Sequence, residues 1–217
     1  DDDLDFIVWG PQVERKPFAT SFVDGTRAAG RLEYDPTGIL NLQEGTFACW
    51  FRPSAGFFTS DSWNRIVGHS TATNQNEIQL MRSGTSRKVV LALSNASGQP
   101  MGSSWTNVTS RTELQEDTWY HITGIWSKSA GYVALYINGV KEAEKPWDDV
   151  YAPTVYGQLA VGYHPNIGRR ANGLIDELLI LPYAASDEII AELYRETRPL
   201  YDEWVPLGVF WSTDWDS

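Results

Sequence analysis

The chemistry open to this chain starts with its carboxylates, because 28 of its 217 residues are Asp or Glu. Retaining hydrolysis of a glycosidic bond needs two carboxyl groups about 5–5.5 Å apart, a spacing that alternate positions on one strand face supply. Glu33-Tyr34-Asp35 and Glu142-Ala143-Glu144 both have that alternation. The second pair follows a turn and sits between Lys141 and Lys145, the pattern of a solvated, charged strand. His69, His121 and His164 show no His-x-x-x-His or related metal-ligand spacing. A Ser/His/Asp site assembled from distant positions stays open at this level. Cys49 is the one cysteine, so neither an intrachain disulfide nor a Cys-based zinc site can form. Its neighbours Phe47, Trp50 and Phe51 mark it as a small buried hydrophobe with a raised thiol pKa. No residue is assigned a catalytic role, and the chain is not expected to be an enzyme.

Binding chemistry is better provided for. Ten Trp and ten Tyr on an acidic chain suit sugar recognition, since flat rings pack on the C–H faces of pyranoses while carboxylates and amides take the hydroxyls. Trp63, Trp105 and Trp147 lie in or beside polar loop stretches, and with Asn64, Asn107 and Asp148 they form the expected carbohydrate contacts. A loop Trp equally suits stapling its loop to the body or meeting a neighbouring subunit. The 17 Lys and Arg leave a formal charge of −11, without a basic cluster longer than pairs such as Arg169-Arg170, so nucleic acid is not an expected partner. No apolar run approaches the roughly 18 residues of a spanning helix, so no membrane is expected either.

These side chains need a scaffold, and the pattern is antiparallel all-β. Short runs rich in Val, Ile, Phe, Tyr and Trp, separated by Gly, Asn, Asp, Ser and Pro, predict strands at 6–9, 45–52, 64–69, 76–82, 87–94, 119–127, 131–138, 139–145, 158–163 and 173–181. Asn138-Gly139 supplies the positive φ angles of a tight type I′ hairpin, which makes 119–145 a three-stranded meander. Only 186–194 has helical period: Ser186 is the N-cap, acids fill the first turn, and Ile189, Ile190 and Leu193 share a face. The start, Asp1-Asp2-Asp3-Leu4-Asp5, has no initiator Met and no secretory pattern, and suggests a segment of a longer protein or a processed product.

Five stretches in order resemble the concanavalin A-like, laminin-G-type jelly rolls: Gly45 to Pro53, Trp119-Tyr120-His121-Ile122, Tyr132 to Gly139, Asn172-Gly173-Leu174-Ile175-Asp176-Glu177, and Ser186 to Ile190. The resemblance implies a two-sheet antiparallel jelly-roll sandwich with one short C-terminal helix, Trp50, Trp119 and Trp126 in its core, and a structural role for His121. Glucanases of this family use Glu-x-Asp-x(x)-Glu. Here Glu33-Tyr34-Asp35 begins that motif, but Thr37 and Gly38 stand where the third acid would fall. The family's Ile-Asp-Glu strand often holds a structural calcium, which points to Ca2+ at Asp176 with Asp24 as partner. The Gln-rich calcium loop of the pentraxin branch is missing, since Val161 to Pro165 stands in its place.

Upstream, Trp9-Gly10-Pro11-Gln12-Val13-Glu14 followed by 20–28 is similar to a junction between modules in bacteriophage tail and other virion structural proteins. The expected division is a final strand and linker of a preceding module at 1–27, a laminin-G-like jelly roll at 28–198, and a Trp-rich C-terminal arm at 199–217. The resemblances imply a non-catalytic structural or adhesion module, in the virion or extracellular, that binds host glycans or other virion subunits as a homo-oligomer. A purely architectural capsid or tail decoration and a glycan-cleaving enzyme of the same fold are the alternatives.

Overall fold

The computed structural model describes residues 32–59, 63–97, 106–164 and 169–197 of the chain. The strand expected at 6–9, the linker 1–27, the arm 199–217 and both expected boundaries lie outside these residues. So do Asp24 and Trp105.

Eleven strands appear in chain order among the described residues: β1 Leu32–Tyr34, β2 Glu44–Pro53, β3 Arg65–Ser70, β4 Ile78–Arg82, β5 Val89–Leu93, β6 Thr106–Thr109, β7 Tyr120–Ser127, β8 Tyr132–Ile137, β9 Val140–Pro146, β10 Gln158–Val161 and β11 Gly173–Leu181. One sheet has the order β1-β10-β3-β4-β5-β6 and the other β11-β2-β7-β8-β9, with every neighbouring pair antiparallel. This is the expected two-sheet sandwich. Strands β7, β8 and β9 form the meander, with Asn138 and Gly139 at φ 51° and 76°.

Side-chain alternation assigns the faces. Along β2, Phe47, Cys49 and Phe51 enter the core between the sheets, where Leu80, Leu91, Ile122 and Leu135 meet them. Burying each such side chain contributes about 1.5–3 kcal/mol relative to leaving it in water. Trp126 is wholly buried and donates its Nε1–H to the Asn41 carbonyl at 3.0 Å. Its ring lies where a Cβ on Gly45 would stand, which explains the glycine at the start of β2. Trp50 is also buried, whereas Trp119 is half-buried ahead of β7.

The outer face of the five-stranded sheet is roofed by α2, Asp187–Glu196. Ser186 caps it as expected, its Oγ accepting the Ile189 N–H. Ile190 packs on Ile125, Ala134 and Tyr136, and Tyr194 stacks on Trp50 with ring centres 5.6 Å apart. Tyr136 Oη donates to Asp187 Oδ1 at 2.6 Å, and the Trp50 Nε1–H reaches Thr197 Oγ1 at 2.9 Å. Both ends of the helix are therefore tied to the sheet.

Three elements fall outside the expected pattern. β1 and β6 are three and four residues long, and Thr106-Asn107-Val108-Thr109 carries a single aliphatic side chain. The second helix, α1, is one turn at Ala55–Thr59 that lacks helical period. It is held from outside: the buried Arg82 guanidinium donates to the Phe57 and Phe58 carbonyls at 2.7 and 3.0 Å, placing a cation at the helix C-terminus.

Candidate functional site

The sandwich has two long sides, and they differ. β6 and β9 bound one side, where Glu142 binds the segment following β6. Its Oε2 accepts the Arg111 and Thr112 N–H groups at 2.7 and 2.9 Å, its Oε1 accepts the Thr112 hydroxyl, and its carbonyl accepts Arg111 Nε–H at 2.8 Å. Lys145 Nζ adds a bond to Asn107 Oδ1 at 3.3 Å. The side bounded by β1 and β11 instead carries a depression of about 500 Å³.

The depression arises from a bulge. Ile175 and Ile180 both pack on the inner core although they are an odd number of residues apart, which strict alternation forbids. One extra residue restores the phase, and the register shifts between Asp176 and Leu179. Glu177 takes the strain at φ 47°, its N–H donated to Asp176 Oδ1 at 2.9 Å, and Leu178 thereby packs against the core. The floor is Leu32, Val161, Ile175 and Leu178, and the polar rim is Arg170, Asn172, Asp176 and Glu177. Asn172 is itself held at φ 50°, its carbonyl accepting the Ser54 N–H and hydroxyl at 3.0 and 2.8 Å. Neither the Glu177 carboxylate nor the Arg170 guanidinium has a partner among the described residues. A second hollow of about 340 Å³ adjoins at Gly173, with Arg52 paired to Asp117 at 3.5 Å on its rim.

The expected carbohydrate contacts fall into two places. Trp63, at φ 68°, is half-buried over Met81, Val90 and Ala92, and the buried Asn64 donates Nδ2–H to the Arg170 carbonyl at 2.6 Å. Asn107, Trp147 and Asp148 belong to the β6/β9 side. There Trp147 packs against the core and donates to Asp149 Oδ1 at 2.7 Å, while Asp148 Oδ1 accepts the Val150 N–H at 2.9 Å. Asp176 lies in the depression on the other side. Arg170, Asn172, Glu177 and Leu32 were not singled out as site residues by sequence, although the odd Ile175-to-Ile180 spacing around two adjacent acids is a readable sign of a bulge.

The other reactive types are sequestered. Glu33, on exposed β1, accepts Gln158 Nε2–H at 2.5 Å, and Asp35 accepts the Thr37 N–H at 2.9 Å, which holds its pKa below the usual range. Glu77 lies fully buried between His164 Nε2 at 2.9 Å and Arg65 at 3.6 Å, and desolvation brings the Arg65 guanidinium down to about 10. Desolvation also lowers His69 and His121 to about 4; His69 Nε2 accepts the Gly157 N–H at 2.7 Å, while His121 lies under Trp50 and Tyr194. Burial pushes the Cys49 thiol up to about 12. Among the described residues no group of three His, Cys, Asp or Glu side chains could hold a metal ion. They do not by themselves complete the six to eight oxygen ligands of Ca2+ around Asp176.

The sequence pattern of the concanavalin A-like lectin/glucanases superfamily matches residues 22–191, and the chain belongs to that superfamily. Solved structures share the fold at low identity. Domain 4 of AbnA, an extracellular arabinanase from Geobacillus stearothermophilus solved with arabinotriose, aligns at TM-score 0.56 and 19% identity over 77% of this chain and 82% of that one. The botulinum neurotoxin serotype D ligand-binding domain in complex with N-acetylneuraminic acid aligns at TM-score 0.53 and 18% identity over 70% of this chain. This chain spans only 36% of that toxin chain. A heptameric SAP-like pentraxin from Limulus polyphemus aligns at TM-score 0.51 and 17% identity over 70% of both chains. No curated protein sequence matches the chain significantly.

Proposed function

We propose that the chain is a non-catalytic glycan-binding module of a virion or other extracellular protein, and that it takes sugar hydroxyls at the β1/β11 side. The carrying observation is the depression itself, where free carboxylate and guanidinium groups stand over an apolar floor. Carboxylates accept pairs of hydroxyl protons, guanidinium donates to hydroxyl oxygens, and the aliphatic floor meets the C–H face of a ring. Same-fold proteins solved with arabinotriose and with N-acetylneuraminic acid support the reading. Its non-catalytic part is supported by Glu33 and Asp35, which are engaged by their own neighbours on an exposed edge strand. In this proposal Asp176 would be one ligand of a structural Ca2+, whose charge the carboxylates holding it would offset. Single sites of this shallow kind bind weakly, and many copies on one assembly supply the avidity.

The test is a glycan array with and without EGTA, followed by calorimetry on the best ligand. Asp176→Asn is expected to weaken binding at least tenfold with an unchanged melting temperature in EGTA. Trp147→Ala is expected to stay within twofold of wild type. The reverse pattern would move the site to the β6/β9 side, and an array without any bound glycan would sink the proposal.

A further inference from the structure

The depression has an aliphatic floor but no ring in its lining, so it lacks the stacking face that extended sugars use. Three half-exposed tyrosines stand farther along the same side. Tyr34 ends β1, Tyr156 precedes β10 and Tyr183 follows β11, with 45%, 46% and 46% of their surfaces exposed. All three border the 35–43 crossover between β1 and β2. Tyr156 Oη donates to the Leu40 carbonyl at 3.0 Å, and Asn41 Nδ2–H reaches the Pro182 carbonyl at 3.3 Å, one residue before Tyr183. Tyr34 adjoins Asp35, whose carboxylate fixes the first turn of the crossover through the Thr37 N–H. Ile39, within the crossover, is exposed as well. Among the residues whose side chains are described, the β6/β9 side bears no ring exposed to this degree.

We propose that Tyr34 and Tyr183, steadied by the pinned Tyr156, form a stacking platform for the far end of a neutral oligosaccharide whose near end sits at Asp176. The inference rests on the glycan-binding reading and adds a length and a charge class to it. The length follows from β11: with its bulge, the segment from Asp176 to Leu181 lies opposite four steps of β2, from Trp50 to Thr46, and spans roughly 13 Å, which calls for a chain of rings rather than one. The charge class follows from the acids along this side. Glu33, Asp35 and Glu177 flank the path on a chain of net charge −11, and among the described residues Arg170 is the one cation on the rim of the depression. Uronates and sialic acids would be repelled there, whereas hydroxyls and amides would be accepted. The Tyr34 and Tyr183 hydroxyls have no partner among the described residues and remain available to the sugar.

Calorimetric titrations of arabinose against arabinotriose, glucose against cellotriose, and N-acetylglucosamine against its β-1,4 trimer test the proposal, with N-acetylneuraminic acid and trigalacturonate as acidic probes. Wild type is expected to bind at least one neutral trimer ten times more tightly than its monomer, and neither acidic probe. The Tyr34→Ala/Tyr183→Ala variant is expected to bring that ratio to within twofold of one while keeping the monomer's affinity, and the matching Phe variant to restore it. Asp176→Asn is expected to weaken monomer and trimer alike. An unchanged ratio in the Ala variant overturns the platform and leaves the depression standing, provided Asp176→Asn still weakens binding. Preference for an acidic probe overturns the charge class, and silence from every sugar overturns the platform together with the reading beneath it.

Discussion

The two long sides of this sandwich solve the same problem differently. Each ends a sheet in an edge strand that has no outer neighbour among the described residues, a condition that invites pairing or binding. On the β6/β9 side two side chains cross the gap: Glu142 accepts the Arg111 and Thr112 N–H groups, and Lys145 donates to Asn107 Oδ1. On the β1/β11 side a bulge turns charged groups outward and leaves a hollow. The contrast teaches that one carboxylate can clasp two sheets together while another, on a kinked strand, has no partner among the described residues.

Acidification is expected to have the largest effect and to strike the open side. His69 abuts Gly157 and Tyr156, next to β10, and its folded pKa of about 4 lies below the usual 6.5. His121 is lowered alike. Between pH 6.5 and 4 the unfolded chain takes up protons that the folded chain refuses, so stability is full above pH 6.5 and declines as pH falls. The loss is about 2 kcal/mol per histidine at pH 5. Urea midpoints at pH 7.5 and 5.0 measure the total, and hydrogen exchange should quicken in 156–161 before 140–146; equal midpoints would contradict the two values. Next in size is Glu142→Ala, which strands two backbone N–H groups and a hydroxyl and is expected to cost about 2 kcal/mol in chemical denaturation. Smallest is Glu177→Gly, which relieves a positive φ and is expected to stabilise by about 0.5–1 kcal/mol while weakening glycan binding. A destabilised Glu177→Gly protein would show that the carboxylate serves the fold instead.

The legible parts of the fold were those governed by local rules. Asn138-Gly139 announced its hairpin, Ser186 its helix, and Phe47, Cys49 and Phe51 their shared face. β1, β6 and α1 were not legible because pairing partners and a distant arginine create them: Leu32 needs Val161, Thr109 needs Val90, and α1 needs Arg82. The site divides in the same way. Asp176 stood out within a familiar strand, whereas Arg170 and Leu32 join it only because the loop after β10 and the edge of the other sheet meet there. Trp147 stood out for its aromatic surface, yet its indole N–H is engaged two residues away by Asp149, a contact that composition does not reveal.

The kink at Glu177 has a bearing on crowding. By interrupting the ladder of amides and carbonyls along an outermost strand, and setting a charge at the break, it denies a neighbouring copy the straight rail on which cross-molecule sheets grow. Many such modules packed shoulder to shoulder would stay separate bodies, free to act independently at high density.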